Sequence, residues 1–323
     1  MKTGKKWFIA AAFAILIGLV IFGGAMAMSG WDFSKLSTRR FETNEYTVGD
    51  SFSGICAEIC TADIKILPSE DGAVRVVCFE EKNVKHTVAV DNGTLTIKVQ
   101  DARKWYEHIG INFKTASVKI YVPEGDYGAL AICSTTGDVS VSDSFSFESI
   151  NITATTGDVQ CYADTDGDCN ITLTTGDVCV KGVSAKALNI STSTGDVEVN
   201  DVELSGDADV EVTTGRVKLT ALAARDVAVE TDTGDVTLTG LIASGKLSVD
   251  TDTGDVRLDM SDAAEIFIET DTGDVVGSLL TDKIFITKTD TGRVDVPKSV
   301  SGGRCEITTD TGNIIITISE RER

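Results

Sequence analysis

Thr231-Asp232-Thr233-Gly234-Asp235-Val236 contains one of ten copies of a turn, Thr-Gly-(Asp/Arg/Asn)-(Val/Ile), that recurs through the last two-thirds of the chain. Neighbouring copies are 19 or 20 residues apart throughout. Such regularity indicates one supersecondary unit per period, and each unit buries its apolar face by stacking on its neighbours. The ten turn glycines are Gly137, Gly157, Gly176, Gly195, Gly215, Gly234, Gly254, Gly273, Gly292 and Gly312.

Apolar residues occupy four fixed positions around these glycines: seven and five residues before each glycine, and two and four residues after it. Of the 40 residues at these positions, only Thr287 and Gly277 are not apolar. The residues between them are mostly polar, so side chains alternate between two faces on both sides of the turn. β-Branched residues dominate, as strands prefer. The pattern predicts two short strands per repeat, each with one buried face.

Two architectures share this local pattern. In a parallel β-solenoid, successive coils stack and their apolar faces close on each other. In an antiparallel meander, each turn is a hairpin of a single sheet, which leaves the apolar columns facing water unless a second layer covers them. No sequence remains for such a layer. We therefore expect an all-β fold, namely a parallel β-solenoid of about ten rungs of 19–20 residues with two short strands each, an N-terminal β cap and one N-terminal transmembrane helix.

The N-terminus carries an uncharged apolar run over residues 7–28, preceded by three lysines within residues 1–6. At ~1.5 Å per residue, a helix of this length spans the ~30 Å hydrocarbon core of a bilayer. The lysines favour a cytoplasmic N-terminus, which places the rest of the chain outside. A cleaved signal peptide is the alternative, because Ala25-Met26-Ala27 has the small residues of a processing site. The length of the run favours a retained anchor.

Composition divides the chain into five segments. We predict a cytoplasmic N-terminus over 1–6, a transmembrane anchor or signal peptide over 7–28, a linker over 29–50, an N-terminal β cap region over 51–128 and the β-solenoid repeats over 129–319. Short strand-like runs dominate the cap region.

Two motifs organise the cap region. Asn92-Gly93 lies between alternating apolar residues, which predicts a two-residue hairpin turn. The segment Thr61-Ala62-Asp63-Ile64 copies the repeated turn with alanine in place of glycine. We therefore expect a degenerate leading rung ahead of the ten regular ones.

Acidic residues outnumber basic ones by 50 to 29, which gives a net charge of −21. Nucleic-acid binding requires clustered lysine and arginine, so the composition argues against a nucleic-acid partner. It suits a soluble, self-repelling surface or one that collects cations.

Two residues of the repeated turn have a structural explanation. A sharp corner requires a residue with positive φ, which glycine adopts without strain. The threonine directly before the glycine is present in all ten copies. Alternation predicts that it lies at the inner corner, where its hydroxyl can bond backbone groups that the strands leave unpaired.

Aspartates surround the corner glycine. One follows the glycine in seven copies, and another stands two residues before it in the last five. Stacking brings like charges within ~5 Å, which is unfavourable unless water, arginine or a cation intervenes. Calcium takes such oxygen ligands, although the spacing is not that of calcium β-rolls, and a hydrated turn is the alternative. The candidate calcium ligands are Asp232, Asp235, Asp252, Asp255, Asp271 and Asp274. No other cofactor is expected.

The eight cysteines are expected to be mostly free thiols, because their register in the repeat argues against most disulfide or metal sites; oxidation of some pairs in an outward-facing chain is the alternative. Those in inward columns act as small apolar side chains. The spacing in the cap is not a convincing zinc pattern. By position they are inward (Cys161, Cys169, Cys305), outward (Cys133, Cys179) or in the cap (Cys56, Cys60, Cys78).

Motifs for catalysis are missing from the sequence. The two histidines, His86 and His108, both precede the repeats, and no Ser-His-Asp set, Cys-His set or phosphate loop is evident. We therefore expect a protein that is not an enzyme, with a carbohydrate-active enzyme that uses paired carboxylates as the least favoured alternative.

One local break in the pattern is the segment 104–108. Its Trp105 and Tyr106 are candidate partner-binding residues for a glycan or a protein, and packing over the first rung is the alternative.

The N-terminal anchor, the Asn-Gly hairpin and the serial Thr-Thr-Gly-Asp-Val and Thr-Asp-Thr-Gly-Asp-Val turns resemble a bacterial family. It is a β-strand-repeat family of unknown function whose members are often labelled candidate adhesins. The resemblance covers roughly Ser51 to Ser319. It implies a cell-surface β-solenoid and, in some members, a link to envelope-stress sensing. It implies no catalytic residues.

The leading hypothesis is a membrane-anchored extracellular β-solenoid that acts as an adhesin-like binding or scaffolding protein of the bacterial cell surface. An envelope-stress sensor or regulator is the alternative. The expected partners are the membrane, through the N-terminal helix, and surface glycans or envelope proteins. The expected location is the cell membrane, with a single pass and the C-terminal part extracellular.

Overall fold

The computed structural model describes residues 2–31, 39–103 and 114–319. Helix α1 covers Lys2–Ser29. The strands that precede the regular repeats are β1 (Phe41–Val48), β2 (Gly54–Thr61), β3 (Asp63–Pro68), β4 (Val74–Glu81), β5 (Val84–Asp91), β6 (Thr94–Asp101) and β7 (Ser117–Val122).

Strands β8 to β28 form the repeats. They are β8 (Gly125–Thr136), β9 (Val139–Val141), β10 (Phe145–Thr156), β11 (Val159–Cys161), β12 (Asp164–Thr165), β13 (Asp168–Thr175), β14 (Val178–Lys181), β15 (Ser184–Ala185), β16 (Ala187–Thr194), β17 (Val197–Leu204), β18 (Ala208–Thr214), β19 (Val217–Ala224), β20 (Val227–Thr233), β21 (Val236–Thr239), β22 (Ile242–Thr253), β23 (Val256–Thr272), β24 (Val275–Leu279), β25 (Lys283–Thr291), β26 (Val294–Asp295), β27 (Gly303–Thr311) and β28 (Ile314–Ile318).

These strands form the predicted parallel β-solenoid. A rung has one strand before the corner glycine and one after it, and equivalent strands of stacked rungs pair in parallel. Before the corner, β16, β18 and β20 align Ile190, Val210 and Val229. After the corner, β17, β19 and β21 pair in the same way. Like residues therefore stack on like, which confirms the solenoid and excludes the meander.

The four apolar columns form the core of the solenoid. Their members are buried in every rung except the one formed by β25 and β26, apart from Gly277. In that rung Val294 is 42% exposed, and Phe285 and Thr287 are only partly buried. The explanation is its place at the end of the stack, where none of the described residues covers one side of the rung.

The C-terminal rungs stack out of chain order. Strand β27 pairs with β23 on one side and with β25 on the other, and β28 lies between β24 and β26 in the same way. The last rung in sequence, 303–318, therefore lies between the rung of β23 and β24 and the rung of β25 and β26. Simple stacking in chain order, the usual expectation for serial repeats, fails here.

The N-terminal end shows the same inversion. Strands β2 and β3 form the predicted leading rung, which stacks in parallel on β8 and β9. Strands β6 and β7 follow β2 and β3 in sequence but pair with their outer edges. The predicted hairpin joins β5 to β6, with Asn92 at φ 50° and Gly93 at φ 77°, as a type I′ turn requires. Strand β5 pairs antiparallel with β6, and β4 pairs antiparallel with β7, so both sides of the solenoid extend beyond this outer rung.

Each central rung also has a short third side that the apolar pattern did not predict. Its strands pair in parallel, for example Ala185 with Leu204 and Ala243 with Ala263. A second corner leads into this side, six residues after the turn glycine. The residue there adopts a positive φ in five successive rungs, at Gly182, Asp201, Ala221, Gly240 and Met260.

The corner glycines are required by close approach as well as by φ. A Cβ built on Gly215 would lie 1.9 Å from the carbonyl oxygen of Gly195, and Gly215 also has a φ of 153°. Gly254 lacks a left-handed φ, yet its Cβ would lie 2.0 Å from the oxygen of Gly234. Real Cβ atoms essentially never come within 3.0 Å of another heavy atom. The sequence-based explanation by φ alone is therefore incomplete, because backbone contact excludes every other residue.

The prediction for the threonine before the glycine was wrong. Thr233 and its equivalents are exposed, and the inward residue is three positions before the glycine, such as Thr231 or Thr270. The alternation of inward and outward side chains ends at this residue, since the next two residues, such as Asp232 and Thr233, both face outward. The buried hydroxyls of Thr270 and Thr309 donate to the carbonyl oxygens of Gly254 and Gly273 at 3.3 and 3.1 Å, whereas the buried hydroxyl of Thr231 makes no hydrogen bond, so the expected bond forms only in some rungs and from a different residue.

The aspartates after the corner form a hydrogen-bonded ladder along the rod. The backbone N–H of Asp177 donates to Asp158 Oδ1 at 2.9 Å, and that of Asp274 donates to Asp255 Oδ1 at 2.8 Å. Each carboxylate thus binds an amide of the adjacent rung. Where Arg216 interrupts the series, its hydrogen bond to Asp196 lowers the pKa of that carboxyl. This pair contributes stability that is lost as the pH falls through the lowered pKa.

The cysteines are free thiols, as predicted. Cys161, Cys169 and Cys305 are buried and Cys133 is exposed, as their columns indicated. A hydrogen bond with Cys161, together with burial, raises the pKa of the Cys169 thiol.

Two alanine substitutions distinguish the cost of a close backbone contact from the cost of a left-handed φ. We expect Gly254→Ala to lower the free energy of unfolding by about 3 kcal/mol, because its Cβ would push two stacked rungs apart. Gly182→Ala should cost only about 1 kcal/mol, because Gly182 has a φ of 66° but open space around its Cβ position. Urea unfolding of the full chain, followed by circular dichroism, measures both. Equal costs would contradict the role given to contact.

Candidate functional site

One repeated surface of the solenoid is the outer face of the strands that precede the corner. Its side chains stand in files along the rod, because equivalent residues of stacked rungs pair in register. Strand pairing sets the spacing within a file at about 4.8 Å. The residues in these files are uncharged in the earlier rungs and acidic in the following ones, so the face divides into two patches.

The first patch, here called the neutral patch, carries uncharged hydrogen-bonding side chains. Asn170 Nδ2 donates to Asn151 Oδ1 at 2.9 Å, and Asn189 Nδ2 donates to Asn170 Oδ1 at 2.7 Å. This amide ladder holds the side chains in one orientation beside a file of hydroxyls. The neutral patch comprises Asn151, Thr153, Asn170, Thr172, Asn189 and Ser191.

The second patch, here called the acidic patch, occupies the next four rungs. Glu211, Glu230, Asp250 and Glu269 lie opposite one another on adjacent strands. Like charges opposed across a strand pair are unfavourable unless something between them neutralises the charge. A second file of aspartates runs beside the first. The acidic patch comprises Glu211, Glu230, Asp232, Asp250, Asp252, Glu269 and Asp271.

The candidate calcium ligands divide between two places in the structure. Asp232, Asp252 and Asp271 are exposed on the acidic patch. Asp255 and its equivalents Asp235 and Asp274 lie on the ladder after the corner, where Asp235 and Asp255 already accept amide hydrogen bonds from the next rung. Asp274 accepts two bonds from Asn313. The two groups flank each corner, three residues apart, and a calcium site there stays a prediction.

The candidate partner-binding residues Trp105 and Tyr106 lie outside the described residues. Their flanking segments border a cavity of about 500 Å³ between the cap strands. The cavity is lined by charges of both signs, including Arg39, Glu81, Arg103 and Lys114, together with Glu80 and His86.

A buried polar cluster lies against this cavity. Among the residues that the structure describes, Cys78, Glu80 and His86 are the one set of three or more His, Cys, Asp or Glu whose ligand atoms lie within 4.8 Å of one another. Their exposed fractions are 0%, 0% and 4%. Burial, aided by the charge of Glu80, raises the pKa of the Cys78 thiol to about 12. Sequence reasoning missed this cluster, because its members are near in space only after β4 and β5 converge.

Helix α1 meets the requirements for a membrane span by length and composition. The window Ala11–Met28 has a mean hydropathy of 2.4 and is only 6% buried. Large apolar side chains such as Phe8 and Phe13 are exposed, at 81% and 66%. Among the described residues this is the one helix of that kind, and a signal sequence would meet the same requirements.

Several solved structures are similar to this chain. A candidate adhesin from Parabacteroides distasonis ATCC 8503 has a TM-score of 0.51 and 14% identity, with 75% of this chain and 98% of that chain covered. A candidate adhesin from Bacteroides fragilis NCTC 9343 has a TM-score of 0.42 and 18% identity, covering 86% and 97%. A candidate lipid-binding protein from Parabacteroides distasonis has a TM-score of 0.44 and 14% identity, covering 87% and 98%. At this identity the likeness concerns the fold alone.

Family comparison covers almost the whole solenoid. No curated protein matches the chain. The Toastrack DUF4097 family matches residues 55–220 and 205–323, which together take in the leading rung, the ten regular rungs and both inverted ends. The chain therefore belongs to the Toastrack DUF4097 family, whose function is unknown.

Proposed function

We propose that the protein is a membrane-anchored extracellular binding or scaffolding protein of the bacterial cell surface, adhesin-like and without enzymatic activity. The observation that carries this proposal is the outer face of the solenoid, where polar side chains repeat at one spacing from rung to rung. Such a face suits a long ligand with its own repeat, because many weak contacts to one chain add up.

The neutral patch is the proposed contact for surface glycans. Its amides and hydroxyls are uncharged, and each can exchange hydrogen bonds with water or with sugar hydroxyls. The ladder of Asn151, Asn170 and Asn189 fixes their orientation before a ligand arrives. Less conformational entropy is then lost on binding.

The proposed absence of catalysis rests on the arrangement of the carboxylates. Glycoside hydrolysis needs one pair of carboxyl groups on opposite sides of a bond, with different protonation states. On the outer face, Glu211, Glu230, Asp250 and Glu269 repeat in equivalent surroundings along one file. Equivalent carboxylates repeated along one face have no means of dividing the roles of acid and base.

The anchor is proposed from the sequence and helix α1 together. The helix is apolar, long enough to span a bilayer and preceded by lysines that favour the cytoplasmic side. The first cap strand begins at Phe41, so the closed end of the solenoid is the end nearer the membrane along the chain. The solenoid then presents its outer face to the exterior.

Cysteine labelling tests the location and the topology. We expect a membrane-impermeant maleimide to label the full chain on intact cells, because Cys60 and Cys133 are exposed while Cys161 is buried. The chain should sediment with membranes. The matched control Cys60→Ser/Cys133→Ser should lose most of the label. Labelling that requires cell lysis would contradict the external location, and release into the medium with an N-terminus after Ala27 would contradict the anchor.

Glycan binding is tested with one substitution on each of two faces. We expect the full chain to bind some members of a glycan array, and Thr172→Arg to weaken that binding about tenfold, a loss of about 1.4 kcal/mol. The control Thr237→Arg lies on the strand after the corner and should bind as the parent does. Release of reducing ends from a bound polysaccharide would contradict the non-enzymatic role. Equal loss in both variants would contradict the neutral patch as the contact.

The calcium site is proposed for the three rungs with Gly234, Gly254 and Gly273 at the corner, where two aspartates flank each corner. We expect calcium to raise the thermal midpoint of the parent chain, with a stabilisation of about 2.7 kcal/mol at 100-fold excess over Kd. The variant Asp232→Asn/Asp252→Asn/Asp271→Asn should lose this response. The control Glu124→Gln/Asp126→Asn/Glu148→Gln removes as many exposed charges elsewhere and should keep it. Equal calcium responses in the two variants would contradict the proposal.

A further inference from the structure

Three polar side chains converge at the closed N-terminal end of the core. Cys78 and Glu80 are two residues apart on β4 and therefore point to the same inner side. His86 points inward from β5, which follows β4 after the turn at 82–83. The Cys78 sulfur, a Glu80 carboxylate oxygen and a His86 ring nitrogen all lie within 4.8 Å of one another.

The carboxylate of Glu80 is held in one orientation. Its Oε1 accepts a hydrogen bond from Asn44 Nδ2 at 2.5 Å and lies 3.5 Å from Lys85 Nζ. Its Oε2 accepts the backbone N–H of His86 at 2.7 Å and lies 2.7 Å from His86 Nδ1. Tyr46 donates to the His86 carbonyl oxygen at 3.0 Å, which fixes β5 at the same point. A fully buried carboxylate is costly without such partners, so the surroundings define its position closely.

We propose that Cys78, Glu80 and His86 form a zinc-binding site. Thiolate, imidazole and carboxylate are the side-chain ligands that zinc takes in proteins. Tetrahedral zinc, with bonds of about 2.0 Å to nitrogen or oxygen and about 2.3 Å to sulfur, separates its ligand atoms by roughly 3.3–3.5 Å. The three ligand atoms already lie within 4.8 Å of one another, so zinc binding requires only small shifts of these side chains, in which the ion takes the place of the direct contact between Glu80 and His86.

The adjoining cavity provides the route to the site. Glu80 and His86 border the cavity of about 500 Å³, and His86 is 4% exposed, so the site lies directly behind the cavity wall and an ion approaches it from this side. Three protein ligands leave a fourth coordination position, which water from the cavity fills. Coordination replaces the S–H bond of Cys78 with a zinc–sulfur bond, and the proton passes to solvent.

Zinc at this place would tie β4 to β5 across the end of the solenoid. The two strands belong to different sides of the rod, since β4 pairs with β7 and β5 pairs with β6. The ion would therefore join the two sides at the N-terminal end of the stack that the described residues form. Zinc bound in this way adds its binding free energy to the stability of the cap.

Cobalt substitution tests the site in the full chain. The purified protein is treated with a chelator and titrated with Co²⁺, which gives an intense thiolate-to-metal absorption band only when sulfur is a ligand. We expect one Co²⁺ per chain, displaced by Zn²⁺. Cys78→Ser should lose the band and His86→Gln should weaken cobalt binding at least tenfold. Cys305→Ser, a buried thiol at the other end of the rod, should retain the band.

Two further measurements keep the test decisive. Cys60→Ser/Cys133→Ser removes exposed thiols and should leave the band intact, whereas its loss there would assign the metal to the surface and overturn the proposal. Zinc X-ray absorption on the parent chain needs no variant and should show a single sulfur at about 2.3 Å. A zinc shell without sulfur, or a cobalt band that persists in folded Cys78→Ser, would equally overturn the site.

Discussion

The structure depends on how closely the corner backbones of adjacent rungs approach. At nine of the ten regular corners, the carbonyl oxygen of a glycine in the neighbouring rung lies where the Cβ of the corner glycine would stand, and at Gly137 that oxygen belongs to Ala62. That approach lets the glycine N–H pair with the neighbouring rung, as between Gly215 N and the Thr233 carbonyl oxygen at 3.0 Å. It also brings the aspartate that follows within reach of the next amide. The corner, the ladder and the register of the apolar columns are thus consequences of one contact.

Both ends of the rod depart from simple stacking in the same way. At each end the outermost rung is not the terminal one in sequence, since β6 and β7 lie outside β2 and β3, and β25 and β26 lie outside β27 and β28. Each outermost rung is therefore preceded and followed in sequence by other strands. It differs in this from a free terminus, where loss of order concentrates. The N-terminal end also carries antiparallel strands and the buried Glu80 network, so the two ends differ in chemistry.

The proposed roles occupy separate parts of this frame. The outer face offers the neutral patch for glycans and the acidic patch for cations, and both owe their order to in-register stacking. The cluster of Cys78, Glu80 and His86 lies in the cap, away from that face, and concerns the stability of the closed end. Binding at the face and metal in the cap are independent proposals, because they share no residue.

The amino-acid sequence by itself determined the parallel solenoid, its apolar columns, the leading rung at Ala62 and the Asn92-Gly93 hairpin. These features follow from the short-range alternation of apolar and polar residues and from the 19–20-residue spacing of the turn, which makes each repeat one rung of the stack. It did not determine the inward residue at the corner, because two outward residues before the glycine interrupt alternation and moved the buried hydroxyl from Thr233 to Thr231. Nor did it determine the inverted ends or the meeting of Cys78 with His86. Those depend on which strands pair across the stack, and only the tertiary structure decides that.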